Sequence, residues 1–85
     1  MIIEKNEEIL VSYVYYYESV SDYKRHNIFK TERVIINEIF VDNDQRNNPC
    51  YCFNEAQLVE VLKKTLQRYH GDTVTIINFW LFQNN

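Results

Sequence analysis

The sequence predicts an α+β fold: a small three-stranded sheet, mixed or antiparallel, packed on one helix in the order β-β-α-β. Three observations predict it. Residues Glu8 to Glu18 alternate with a period of two and are rich in β-branched and aromatic side chains. The stretch after Asn54 carries an apolar stripe at helical spacing and ends at the only glycine, Gly71. Thr73 to Phe82 return to a strand composition. With 85 residues the chain makes one domain, 1–85.

In the first strand, Ile9, Val11, Tyr13, Tyr15 and Tyr17 share one face, and Leu10, Ser12, Val14 and Tyr16 share the other. Ser19 to Asn27 is polar and reads as a connection, and Ile28 to Val41 reads as a second strand region that completes a long hairpin. Val34-Ile35-Ile36 interrupts the alternation, which predicts a bulge or burial on both faces. Asp42 to Pro49 is a loop, because Asp and Asn side chains compete for backbone hydrogen bonds and Pro49 has no N–H to donate. Cys50 to Phe53 is a short extended segment.

The helix has a complete start signal. Asn54 is a good N-cap, Gln57 stands where a capping box needs it, and Phe53 is placed to staple against Leu58. Leu58, Val59, Leu62, Leu66 and Tyr69 form the expected buried stripe. Glu55 and Glu60 precede Lys63, Lys64 and Arg68, in the sense the helix dipole favours. In the last strand, Val74, Ile76, Asn78, Trp80 and Phe82 alternate with Thr73, Thr75, Ile77, Phe79 and Leu81. The helix carries the chain back over the sheet, so this strand is expected beside the first, antiparallel to it.

Composition excludes several function classes. One glycine cannot build a phosphate-cradling loop or a dinucleotide fingerprint. A net charge of −3 argues against a general DNA coat protein. No apolar run is long enough to span a membrane, and the first residues lack the basic-then-apolar order of a signal peptide, so a cytoplasmic location is expected. Cys50 and Cys52 stand too close together for an unstrained disulfide and are expected as reduced, paired core thiols. Abundant Asn, Ile, Tyr and Lys beside single Ala and Gly residues point to an A/T-rich genome.

Candidate chemistry is sparse. Cys50, Cys52, His26 and His70 are zinc-ligand types, but they lack a second cysteine pair and the usual spacing, so no metal site is expected. His70 near Asp72 has no nucleophile or oxyanion donor to serve, and a histidine in a last helical turn already suits the dipole. No catalytic residue and no cofactor are expected.

One helix of about 16 residues, about 24 Å long, covers one face of such a sheet. The apolar surface of the strands exceeds what that helix hides. Tyr and Trp suit association because each joins wide apolar area to a polar tip. Tyr13, Tyr15, Tyr17, Trp80 and Phe82 are therefore the expected partner-binding anchors, with a two-fold homodimer as the simplest form. The alternative is a single-stranded nucleic-acid binder that sets Lys24, Arg25, Lys30 and Arg33 beside the strand tyrosines.

In general profile the chain is similar to small accessory proteins of phages and archaeal viruses: single-domain, acidic, rich in Tyr, Asn and Ile, and without catalytic signatures. That resemblance implies a non-catalytic protein that binds and inhibits a host defence or nucleic-acid enzyme. It assigns no residue roles.

Overall fold

The computed structural model describes residues 1–82. The fold is α+β. Five strands form two antiparallel sheets around one main helix: β1 (Ile2–Glu4), β2 (Glu8–Glu18), β3 (Arg25–Ile35), β4 (Cys50–Cys52), helix α2 (Glu55–His70) and β5 (Thr75–Leu81). A single helical turn, α1 (Asn43–Arg46), and a 3-10 turn (Glu38–Phe40) lie between β3 and β4. Among the described residues no helix is long and apolar enough to cross a membrane.

The main sheet has the order β3-β2-β5, with β5 antiparallel to β2, as expected. The β2–β3 hairpin pairs without interruption from Glu8↔Ile35 to Glu18↔Arg25. Its connection, Ser19 to Lys24, is shorter than expected because pairing continues through Asn27 and His26. The Ser19 N–H donates to the Lys24 carbonyl at 3.0 Å, and Asp22 accepts the Lys24 N–H at 2.9 Å. Tyr23 takes a positive φ of 57° there. The Lys24 N–H holds the Asp22 carboxyl below the usual carboxylate range.

Val34, Ile35 and Ile36 form no bulge. Val34 and Ile36 are buried while Ile35 faces water, which is plain alternation. The irregularity lies in β5 instead. The register passes from Ser12↔Asn78 to Tyr13↔Ile76, so Ile77 has no partner. This bulge reverses the phase of the strand. Phe79 and Leu81 join Ile76 and Val74 on the helix side, while Trp80 pairs opposite Leu10 on the other face. The single face expected for Val74, Ile76, Trp80 and Phe82 is thereby divided.

The core joins Ile9, Val11 and Tyr13 of β2 to Leu58, Val61, Leu62 and Leu66 of α2. Relative to the expected stripe, the helix is rotated. Val61 and Thr65 point inward, and Tyr69 is 75% exposed. Thr65 is tolerated because its hydroxyl donates to the Val61 carbonyl at 2.8 Å and accepts the Asn37 N–H at 3.3 Å. The capping box is present: the Asn54 side chain accepts the Gln57 N–H at 2.8 Å, and the Gln57 side chain accepts the Asn54 N–H at 2.9 Å. At the far end Gly71 has φ 78° and ψ −168°, a region open to glycine alone.

The small sheet closes the end of the core near the start of α2. Ile3 pairs opposite Tyr51, and both side chains are buried. Alternation then turns Cys50 and Cys52 outward: Cys52 is exposed and Cys50 half-buried, both as free thiols. The expected core thiol pair is therefore corrected, since Tyr51 and Phe53 take the inward positions.

Candidate protein-interaction surface

Every second residue of the hairpin and β5 turns away from α2, and those residues compose one continuous face. Register places them in rows: Phe29, Val14 and Thr75; Thr31, Ser12 and Asn78; Arg33, Leu10 and Trp80. Phe29 is 71% exposed, Trp80 46% and Phe82 41%. Leu10, Val14 and Tyr16 are half-buried by their strand neighbours alone. Among the described residues no helix or strand lies over this face.

Several polar groups of the face are already partnered. Ser12 and Thr31 share a hydroxyl hydrogen bond of 2.7 Å across the strands. Arg33 meets the Glu8 carboxylate at 3.2 Å, and its guanidinium lies 5.1 Å from the centre of the Phe82 ring. At the other end the Arg25 guanidinium stacks 3.5 Å from the centre of the Tyr16 ring, and Arg25 pairs in register with Glu18. Two arginines and two glutamates thus cancel, leaving a neutral apolar centre between two charged ends.

The helix side holds a different cluster. The Tyr13 phenol donates to the Glu32 carboxylate at 2.5 Å and lies 3.0 Å from His70 Nε2. The phenol has one proton and gives it to Glu32, so His70 Nε2 is the donor of the second bond. The His70 ring stacks on Tyr15 at a centroid distance of 4.2 Å. Burial, reinforced by the hydrogen bond to Glu32, raises the Tyr13 phenol well above the usual tyrosine range. The Tyr13 hydroxyl thereby ties β2 to β3 and to the last turn of α2.

The five expected anchors therefore separate. Trp80 and Phe82 lie on the open face. Tyr13 is fully buried and Tyr15 packs against the core and His70, both on the helix side, which removes Tyr13 from any surface. Tyr17, also in that phase, stacks on His26 at 5.1 Å beyond the end of the helix. Phe29, the most exposed ring of the open face, was not among the anchors. Its signal was its phase, shared with Thr31 and Arg33.

The basic residues separate too. Arg25 and Arg33 lie on the open face, whereas Lys30 pairs opposite Tyr13 in the helix-side phase and Lys24 belongs to the hairpin connection. They do not make one basic strip. Cys50 and Cys52 on β4, His26 at the hairpin end and His70 at the end of α2 stand apart, and no group of three or more metal-ligating side chains gathers among the described residues.

Clefts are shallow. One of about 340 Å³ runs between Phe40, Val41 and the first turns of α2. Its polar rim is used within the fold, since Gln45 accepts the Cys52 N–H, Asn54 and Gln57 cap each other, and Glu60 pairs with Lys64. Comparison with protein families, with curated proteins and with solved structures finds no match.

Proposed function

We propose that the chain is a non-catalytic protein-binding module that works as a homodimer and presents its open sheet face to a partner protein. The observation that carries this reading is the uncovered row of Phe29, Val14, Leu10, Trp80 and Phe82. Keeping such rings in water is unfavourable, and burying them against a partner recovers about 25 cal/mol for each Å² of apolar surface covered. The neutral charge balance of the face favours an apolar protein surface over a polyanion. In its concrete form the partner is a host defence or nucleic-acid enzyme that the module inhibits; composition alone supports that part.

A photo-crosslinking amino acid placed at position 80 tests the reading in cells that carry the gene, with position 63 on the helix as the control. The expected result is a discrete protein adduct at position 80, reproduced with the purified adduct partner, and none at position 63. Equal adducts at both positions, or none at either, overturn it. The nucleic-acid alternative predicts salt-sensitive binding of a single-stranded oligonucleotide, and silence at low salt removes it.

A further inference from the structure

β3 is an edge strand, hydrogen-bonded to β2 alone. The bond from the Ser19 N–H to the Lys24 carbonyl sets the alternation of the hairpin ladder. Counting along it, Phe29, Thr31 and Arg33 direct their N–H and C=O groups away from β2, toward the free edge. The same count directs the Tyr16 backbone toward β5, where its N–H and C=O both bond the Thr73 hydroxyl.

We infer that two copies of this chain pair edge to edge through β3, antiparallel about Thr31, joining their three-stranded sheets into one. The proposal rests on the homodimer reading above and names its surface and register.

Self-pairing of an antiparallel strand sets residues opposite one another about a fixed centre, and only residues of the same phase can face. With Thr31 at the centre, Thr31 faces Thr31 and exchanges both backbone hydrogen bonds. Lys30 then faces Glu32 of the other copy, twice by symmetry. Ile28 faces Val34, and Phe29 faces Arg33. Each is a favourable cross-strand pair: opposite charges, two β-branched side chains, and a ring beside a guanidinium. The neighbouring registers fail on charge. Centring on Lys30 sets lysine against lysine, and centring on Glu32 sets glutamate against glutamate.

The surroundings fit this pairing. No carboxylate pairs with Lys30 among the described residues. Glu32 uses one carboxylate oxygen for Tyr13 and has the other to offer. Tyr69 and Ile35, both exposed, flank the same edge with Lys30 and Glu32 around a shallow cleft of about 470 Å³. Pairing shelters both. An unguarded strand of this length invites addition of another strand, and a self-complementary charge pattern makes the second copy the favoured addition. The open faces of the two copies then lie side by side on one sheet.

Light scattering tests the pairing, with a melting curve recorded for every variant. The expected mass is near twice 10.4 kDa. Lys30→Glu is expected to fall to the monomer mass, and mixing it with Glu32→Lys is expected to restore the dimer. In a chain with Cys50→Ser and Cys52→Ser, Thr31→Cys is expected to close a disulfide between copies under mild oxidation, since opposed residues of a hydrogen-bonded pair lie about 5.5 Å apart at Cα. A wild-type monomer overturns the proposal, as does a Thr31→Cys chain that stays uncrosslinked. A dimer that survives Lys30→Glu and dissolves in Trp80→Ser also overturns it, while leaving the open-face reading intact.

Discussion

The Tyr13 phenol lies 3.0 Å from His70 Nε2, and through that bond the middle of the central strand holds the last turn of the helix. Glu32 on β3 completes the tie, so one buried hydroxyl joins three elements. Tyr13→Phe keeps the ring and removes the hydroxyl. The expected loss is about 1–2 kcal/mol by urea unfolding, because two polar partners lose a bond while keeping some access to water.

The same phenol sets an alkaline limit. Its folded pKa lies above the unfolded value of about 10, so above that pH the unfolded chain releases a proton that the folded chain retains. The contribution is fully present below about pH 10 and is lost as pH rises further toward the folded pKa. Urea midpoints are expected to decline above about pH 10, and more gently in Tyr13→Phe. Tyr51, also raised by burial and by the Glu38 carboxylate, supplies the residual slope.

Trp80 and Leu62 test which face is the core. Leu62 is fully buried, and Leu62→Ala is expected to cost about 2–5 kcal/mol. Trp80→Ser, on the open face, is expected to cost about 1 kcal/mol or less despite removing the larger side chain. Equal losses in thermal melts would place Trp80 inside.

Gly71 has open space where a Cβ would stand, yet its backbone angles belong to glycine. Gly71→Ala is therefore expected to lower stability by about 1–3 kcal/mol through backbone strain alone. A melt unchanged from wild type would contradict those angles.

Asn54→Ala tests the helix start. It strands the Gln57 N–H, while the return bond from the backbone N–H of position 54 to the Gln57 side chain can still form. A loss of about 1 kcal/mol is expected in chemical unfolding, and Asn54→Ser is expected to recover most of it.

Much of this architecture was legible in local chemistry. Asn54, Gln57 and Gly71 mark the helix because capping uses side chains and backbone angles within a few residues. The faces of β2 followed from simple alternation. The small sheet escaped notice because Ile2–Glu4 is too short to show a period, and its partner lies some fifty residues away at Cys50–Cys52. The bulge at Ile77 was hidden for a related reason: an apolar residue in an apolar strand satisfies either phase. The clamp on Tyr13 was out of reach, since Glu32 and His70 meet it only after the hairpin and helix have packed.

The unpartnered Ile77 has a consequence for how this surface varies. Were the strand to run straight with every residue kept, its parity would carry Trp80 toward the helix and Phe79 and Leu81 out to solvent. Deleting Ile77 has the opposite result: Asn78 follows Ile76 directly, the ladder becomes regular and both faces stay as they are, just as substitutions at Phe29, Trp80 or Phe82 leave the hidden side untouched. The exterior can therefore drift residue by residue, and at this one place it can also shorten by a residue without exchanging its two sides.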